Sequence, residues 1–331
     1  MVKIALIGVG YWGKNLARVF SQLGNLAVIC DSDPGQLARM KQLYKGVETC
    51  GDYAEILKDS HVDGVAVVTP AITHYAVAKK ALEAGKHVFV EKPMTLSAAE
   101  GEELTGIAEK KDLRLMVGHL MEYHPAVEAL KSLIDSGDLG RIYYVYSQRL
   151  NLGKIRQDEN ALWSFAPHDL SVILYLLGEG VTKVYATGES YLQDGIEDVV
   201  FVNLRYKDGR IANVHLSWLD PNKKRELTIV GSKKMAIFDD MQAEEKLKIY
   251  DKGADINTSY QSYGEFLTLR FGSVYIPKIE MKEPLLIECR HFIDCIENKR
   301  QPRSDGKDGL RVTRLLEAAQ RSLKQGVPVS L

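Results

Sequence analysis

The chain has 331 residues, which exceeds one typical domain and predicts two, each large enough to bury a core. The net charge of -1 gives no reason to expect a nucleic acid or an acidic membrane surface as partner. We expect no signal peptide, no bilayer span and no metal site. The four cysteines form no CxxC pair, so we expect reduced thiols and a cytoplasmic protein.

The chain opens on a strand, a glycine turn and a helix. Residues 3–7 are interpreted as a short buried strand, and Gly8, Gly10 and Gly13 follow before a stretch with helical apolar spacing, 14–23. Gly8 permits the tight turn, Gly10 lets the backbone approach a pyrophosphate, and Gly13 lets helix and strand pack closely. The helix amino terminus attracts the phosphate charge. This pattern predicts a dinucleotide-binding turn.

Asp31 ends the second apolar run, residues 26–30. Dinucleotide-binding folds place at about this point the acid that hydrogen-bonds an adenosine ribose. A carboxylate would repel a 2′-phosphate, which favours NAD over NADP. The alternative is a solvated turn at 31–34. Trp12, in the glycine turn, either covers the cofactor or packs against the protein.

A later apolar strand, 88–90, ends in Glu91, Lys92 and Pro93. Open α/β sheets bind their ligands at the carboxyl ends of the strands. Partial burial can bring a lysine pKa down far enough for proton transfer near neutral pH, and proline restricts Lys92 to extended geometry. The alternative is a lysine that points into water.

Strands and helices alternate up to residue 117, which predicts a parallel, doubly wound α/β sheet. The further elements of this part are a strand at 62–70, a helix at 76–84 closed by Gly85, a helix at 98–111 and a strand at 113–117. After residue 119 long alternating strands predict an α+β part with a large, mostly antiparallel sheet. These strands are 143–150, 181–189, 199–206, 211–218, 226–230, 234–239 and 246–250, with a hairpin turn at 207–210 and closing helices at 287–298 and 309–324.

The residues resemble the Gfo/Idh/MocA oxidoreductases over essentially the whole length. The resemblance rests on GVGYWG, TPAITHYAVAKKALEAGKHVFVEKP, Tyr123-His124-Pro125, Ala166-Pro167-His168-Asp169 and the pattern from Gly309 to Ser322. It implies a Rossmann domain, 1–119, and an open-faced-sheet domain for substrate binding and oligomerisation, 120–331, whose last helix can pack back on the first. It also implies bound NAD(P), hydride transfer at a sugar or cyclitol carbinol, and a homodimer or homotetramer assembled through the sheets.

The resemblance assigns Lys92 a place beside the nicotinamide and the substrate hydroxyl, with a Lys-Pro bond that is often cis. His168 is the second catalytic residue and the predicted general base, since its ordinary pKa suits proton transfer. The family pattern has an aspartate four residues earlier, where this chain has Ser164. A structural helix cap is the alternative for His168. Asp169 is interpreted as a carboxylate near a helix amino terminus, outside the chemistry.

The resemblance also supplies binding residues. His74 matches a family histidine close to the cofactor, with a structural histidine as the alternative, and Tyr123 and His124 lie where substrate is often contacted. The predicted cofactor set is Gly8, Gly10, Tyr11, Trp12, Gly13, Asp31, Thr69, Pro70, His74, Glu91 and Lys92. The predicted substrate set is Tyr123, His124, Arg149, Asn151, Lys154, Arg156 and Ser164.

A basic segment indicates the substrate. Arg149, Lys154 and Arg156 surround Gly153 after a strand and offer charge and amides to a diphosphate, although a solvated basic loop is the alternative. The run from Arg149 to Leu170 resembles the branch of the family that oxidises UDP-N-acetylglucosamine at C3, ahead of an aminotransferase that makes 3-amino sugars for lipid A or surface glycans.

Three other functions remain open. A UDP-N-acetylglucosaminuronate 3-dehydrogenase would need another cation, for which Lys223, Lys224 and Arg225 are the candidates. An NAD-dependent cyclitol or free-sugar dehydrogenase would act without a nucleotide. A non-catalytic NAD(H)-binding regulator is the third, since Ser164 replaces an aspartate.

Overall fold

The computed structural model describes residues 1–153, 155–256 and 267–331. It divides into two compact units, one formed by residues 1–123 and 282–314 and the other by 124–281 and 315–331. The contacts group residues 282–314 with the first unit. The sequence-based division at residue 119 instead assigns this segment to the second domain. The division into two functional domains, 1–119 and 120–331, stays a prediction.

Strands and helices account for most of the described chain. The strands are β1 (Ile4–Ile7), β2 (Leu26–Cys30), β3 (Glu48–Cys50), β4 (Gly64–Val67), β5 (His87–Glu91), β6 (Leu115–Gly118), β7 (Ile142–Leu150), β8 (Val181–Glu189), β9 (Val199–Tyr206), β10 (Ile211–Ser217), β11 (Lys224–Gly231), β12 (Met235–Asp239), β13 (Leu247–Ile256), β14 (Leu267–Tyr275) and β15 (Val329–Ser330). The helices are α1 (Gly13–Gln22), α2 (Pro34–Leu43), α3 (Tyr53–Lys58), α4 (Ala71–Glu83), α5 (Ala98–Lys110), α6 (Pro125–Asp135), α7 (Ala161–Leu177), α8 (Pro284–Glu297) and α9 (Gly306–Gln325), with a 3₁₀ turn at Leu120–Tyr123.

The first unit is built on a six-stranded sheet in the order β3-β2-β1-β4-β5-β6, in which every pairing is parallel. This confirms the predicted doubly wound sheet. Its central strands are buried on both faces, as apolar runs without alternation require. The strand order reverses between β1 and β4, so the crevice at their carboxyl ends is where such a fold binds its ligand.

The second unit is built on a nine-stranded sheet in the order β14-β13-β12-β11-β7-β10-β9-β8-β15. Within this sheet, β7 and β10 form the only parallel pair among the described residues, so the prediction of a mostly antiparallel sheet is confirmed. Gly209 adopts φ +90° in the hairpin between β9 and β10, as the predicted turn requires. Helix α7 packs against β7, β9 and β10 and covers one face.

Several boundaries differ from the prediction. Helix α4 begins at Ala71, directly after Pro70, instead of at residue 76. Its first turn is largely exposed, with Ile72 78% accessible, so apolar periodicity does not mark it. Strand β13 continues to Ile256, and β14 was not predicted. Across the described ranges, no helix has the length and apolarity that a bilayer span needs.

Candidate functional site

The glycine turn of the first unit has the geometry that its three glycines predict. Gly8 has φ +95°, and a Cβ on it would lie 2.7 Å from the Val68 carbonyl oxygen. A Cβ on Gly13 would lie 2.1 Å from the Gly8 oxygen, so this position requires glycine for helix–strand packing. A Cβ on Gly10, in contrast, would have no atom of the described residues within 4 Å. Open space at Gly10 is what the approach of a phosphate needs.

The start of α1 fits an anion. Its N-cap residue, Trp12, makes no side-chain cap hydrogen bond, so a ligand can accept from the first amides of the helix. The Trp12 indole instead donates through Nε1 to Glu91 Oε1 at 2.6 Å. Tyr11 is 93% exposed. These residues and the open space at Gly10 fit a dinucleotide pyrophosphate.

Asp31 lies at the end of β2 beside this turn. One carboxylate oxygen accepts from the Val9 amide at 2.7 Å, and the other accepts from the Asp33 amide at 2.9 Å. The Asp31 side chain therefore connects the glycine turn to the start of the loop after β2 by hydrogen bonds. Its contact with a ribose stays a prediction.

The end of β5 places Lys92 next to a buried acid. Glu91 is 9% exposed and accepts from the Lys92 amide at 3.2 Å. Burial raises the pKa of Glu91 to about 7, against the opposing effects of the Trp12 hydrogen bond and the Lys92 charge. Lys92 is half-buried, and its peptide bond to Pro93 is cis, as the family resemblance implies.

His74 is 1% exposed and bridges two loops that follow strands. Its Nδ1 lies 2.8 Å from the Pro93 oxygen and its Nε2 lies 2.8 Å from the Thr69 oxygen. Burial lowers the pKa of His74, so the neutral ring donates to one carbonyl only. Thr69 is half-buried and Pro70 is exposed ahead of α4. The geometry gives His74 a structural role, and its cofactor contact stays a prediction.

A buried ionic cluster lies beyond β6. His119 Nδ1 is 2.6 Å from Asp308 Oδ2 and 3.4 Å from Glu122 Oε1. Burial alone would lower the pKa of His119, but hydrogen bonds to the two acids outweigh it and raise that pKa to about 10. Burial raises the pKa of Glu122 to about 8. The ligand atoms lie within 4.8 Å of one another, a spacing that a cation could bridge, yet the proton on His119 already serves Asp308.

In the second unit, α7 carries the predicted base. The helix runs unbroken through Pro167, so His168 lies inside it and the helix-cap alternative is wrong. Ser164 and His168, one turn apart, are both half-buried on a helix whose other residues are mostly buried. Asp169 also lies inside α7, which corrects its placement near a helix amino terminus. Its carboxylate accepts from the Arg149 guanidinium and from the Ser147 hydroxyl.

Two predicted substrate residues are buried. Tyr123 is 0% exposed, with its hydroxyl 3.2 Å from Ser304 Oγ and its ring centroid 4.7 Å from the Arg303 guanidinium carbon. His124 caps α6 by accepting from the Ala126 amide at 3.1 Å. These contacts give both residues structural roles, and their substrate contact stays a prediction.

The predicted basic cluster is largely neutralised by carboxylates. Arg149 pairs with Asp169, and Arg156 Nη2 lies 2.6 Å from Glu159 Oε1. Asn151 accepts from Arg225 Nη2 at 2.7 Å. Lys154 lies outside the described residues. A diphosphate contact by this segment stays a prediction.

Two family models match the chain. The oxidoreductase family model with an NAD-binding Rossmann fold matches residues 2–119, and the GFO/IDH/MocA C-terminal domain matches 127–237. The chain belongs to the Gfo/Idh/MocA oxidoreductase family. Its first domain is therefore an NAD-binding Rossmann domain, and the open space at Gly10 and the helix start without a side-chain cap agree with that cofactor.

Two dehydrogenases of known name match nearly the full chain. UDP-N-acetylglucosamine 3-dehydrogenase of Acidithiobacillus ferrooxidans is 28% identical over 313 residues, 94% of each chain. The NAD⁺-dependent scyllo-inositol 2-dehydrogenase of Bacillus subtilis is 26% identical over 350 residues, 100% of this chain and 96% of the relative. The solved structure of the first enzyme, GnnA, superposes with TM-score 0.82 at 25% identity over 97% of both chains.

Sequence reasoning missed the partners of the family residues. Trp12 and Glu91 are 79 positions apart, and His119 and Asp308 are 189 apart, so no local pattern connects them. One signal was available for Asp169. A carboxylate one position after the predicted base, opposite a strand that carries an arginine, indicates an ion pair.

The His119–Asp308 pair should matter for stability. Replacing Asp308 with Asn removes the nearer of the two acids from a buried imidazolium, and breaking a buried ion pair in this way typically costs about 3–5 kcal/mol in the free energy of unfolding. Urea denaturation at neutral pH measures this loss. Glu102→Gln, which removes the exposed pair with Arg314, is the control and should cost less than about 1 kcal/mol. Equal losses in the two variants would contradict a buried ion pair.

Glu91 should make stability depend on pH. Its ordinary pKa of 4.5 applies to the unfolded chain, whereas its pKa in the folded protein is about 7. The folded state therefore holds the extra proton between these values, and stability from this group falls as pH rises through the window. Glu91→Gln removes this titration. As pH rises from ~4.5 to ~7.5, the free energy of unfolding of wild type should therefore fall by up to about 3 kcal/mol relative to that of Glu91→Gln. Urea denaturation across that range, with exposed Glu48→Gln as control, tests this. Parallel pH profiles for wild type and Glu91→Gln would refute it.

Gly10 should matter for the cofactor and not for folding. Ala at this position has room, but its methyl group enters the space through which a phosphate approaches. We expect NAD affinity to fall by about 10- to 100-fold in calorimetric titration, with an unchanged melting temperature. Gly106→Ala also adds a methyl group in open space, in α5, and should leave NAD affinity unaltered. Wild-type NAD affinity in Gly10→Ala would exclude phosphate approach at this turn.

Proposed function

We propose that the protein oxidises the C3 hydroxyl of UDP-N-acetylglucosamine to a 3-keto sugar nucleotide with NAD as oxidant. The observation that carries this proposal is the match, over 94% of both chains, to UDP-N-acetylglucosamine 3-dehydrogenase of Acidithiobacillus ferrooxidans. The family is that of oxidoreductases, and the first domain binds NAD. The product would suit an aminotransferase that makes 3-amino sugars for lipid A or a surface glycan.

In this proposal two side chains act on the reacting hydroxyl, one as general base and the other as a positioning cation. His168, half-buried on α7, accepts the proton of the C3 hydroxyl as the C3–H bond breaks and its electron pair leaves as hydride. Bound NAD supplies the hydride acceptor. Lys92, half-buried at the end of β5, orients the hydroxyl and stabilises negative charge that develops on its oxygen. Ser164, one turn before His168, hydrogen-bonds the sugar without adding charge.

The same reaction class with a different substrate is the second candidate. The scyllo-inositol 2-dehydrogenase of Bacillus subtilis matches all of this chain at 26% identity. A cyclitol dehydrogenase would use the same base and lysine and would need no site for a nucleotide. Activity on an inositol without a nucleotide distinguishes the two candidates.

We also propose a homodimer or homotetramer assembled through the nine-stranded sheet, in the cytoplasm. The sheet face opposite α7 carries half-exposed or exposed Tyr144, Phe201 and Ile211, which a second copy would cover. Free thiols at all four cysteines agree with a reducing compartment.

The activity test measures NADH formation from NAD and UDP-N-acetylglucosamine, with an aminotransferase or alkaline buffer to draw the reaction forward. Lys92→Met and His168→Ala should each lower kcat by about 10²- to 10⁴-fold, because each removes a group that acts on the reacting hydroxyl. His61→Ala changes an exposed histidine and serves as the control. Unchanged kcat in His168→Ala, or wild-type turnover of inositols alone, would overturn the proposal.

A further inference from the structure

Two arginines face each other across strands β7 and β11. Arg149 is the register partner of Arg225 in this antiparallel pair, so both side chains project from the same face of the sheet. Both are half-buried. Like charges directly opposite each other are destabilising, and partial burial increases the repulsion. This arrangement requires negative charge nearby.

Asp169 forms a direct ion pair with only one of the two, Arg149. Asp169 and Asp240 attract the charge of Arg225 from beyond ion-pair distance. One Asp169 oxygen accepts from Arg149 Nε, and the other accepts from the Ser147 hydroxyl and lies 3.5 Å from Arg149 Nη2. Both oxygens are therefore engaged on the Arg149 side. Among the described residues, no carboxylate lies within ion-pair distance of Arg225.

Arg225 is held in place by neutral groups. Its Nη1 donates to the Leu150 oxygen at 2.9 Å and to the Lys224 oxygen at 2.7 Å, and its Nη2 donates to Asn151 Oδ1 at 2.7 Å. Its guanidinium carbon lies 5.7 Å from the centroid of the Phe165 ring. Nε and Nη2 each keep one N–H without an acceptor within the described parts of the chain. These two nitrogens of one guanidinium can donate to a planar carboxylate or a phosphate, the pairing that arginine favours.

The position of Arg225 relates it to the predicted base. The guanidinium lies near Phe165 on α7. Phe165 and Asp169 are one helical turn apart, and they lie next to Ser164 and His168, which are also one turn apart on this helix. All of these residues belong to the second unit. Burial, and next the charge of Arg149, lower the pKa of Arg225 to about 10, so it remains charged at neutral pH.

We propose that Arg225 binds an oxyanion of the substrate, close to the carbon that is oxidised. The ligand class is a sugar that carries a phosphate or a carboxylate, and this inference rests on the proposed sugar oxidation. The glycosyl phosphate at C1 and a carboxylate on C5 are each two carbons from C3, so either group can supply the oxyanion. An uncharged cyclitol would leave Arg225 without an anionic partner.

Calorimetric binding and steady-state kinetics on the NAD-loaded protein test this inference. The probes are UDP-N-acetylglucosamine, UDP-N-acetylglucosaminuronate, UDP, glucuronate and uncharged N-acetylglucosamine. Arg225→Met should weaken binding of the probes that carry the recognised oxyanion, and raise the KM of the corresponding sugar nucleotide, by about 10- to 100-fold. The affinity for NAD should change little. Arg225→Lys keeps the charge but not the fork and should recover part of the loss. Arg141→Met removes an exposed cation from the same unit and should change nothing.

The probes identify the source of the oxyanion. A loss for both sugar nucleotides and UDP indicates the phosphate, whereas a loss confined to the uronate forms indicates the carboxylate. The inference is wrong if Arg225→Met binds every anionic probe as wild type does, if the loss is equal for uncharged N-acetylglucosamine, or if wild type binds none of the anionic probes. Oxyanion binding that depends on Arg225, without turnover of either sugar nucleotide, would refute the proposed reaction and leave this inference standing.

Discussion

The carboxyl group of Glu91 connects the two motifs on which the first unit depends. It accepts the Trp12 indole from the glycine turn and the Lys92 amide from the end of β5. A Cβ on Gly118, in the neighbouring strand β6, would lie 3.0 Å from this carboxyl group, so glycine there gives the acid its space. The groups predicted to bind pyrophosphate and to orient the substrate hydroxyl are thus linked through one buried acid. Its raised pKa is a consequence of that burial.

In the second unit, the basic residues near α7 differ in whether a carboxylate of the protein pairs with them. Asp169, inside α7, compensates Arg149, and Glu159 compensates Arg156. Arg225 has only neutral acceptors among the described residues, beside the helix that carries His168. The basic segment that sequence reasoning emphasised is thus mostly paired within the protein. The charge that we propose for ligand binding is instead that of Arg225, on the adjacent strand β11.

Much of the fold could be predicted because its signals are local. Buried strands such as β1 and β4 are apolar runs, and the glycine turn has a spacing that few other structures need. Helix α7 was not among the predicted helices, and it runs continuously through Pro167, a residue that usually breaks or kinks a helix. Within the candidate site, Lys92 and His168 were selected through family motifs. The pairings of Trp12 with Glu91 and of Arg149 with Asp169 depend on tertiary contacts, which one sequence does not encode locally.

The most direct test of the proposed chemistry follows the hydrogen atom. UDP-N-acetylglucosamine deuterated at C3 is incubated with NAD and the protein, and the NADH is analysed by mass spectrometry. Transfer of the C3 hydride predicts NADH that is heavier by one deuterium, together with slower turnover than with the unlabelled sugar. Unlabelled NADH from the deuterated substrate would place the oxidation at another carbon and contradict the account.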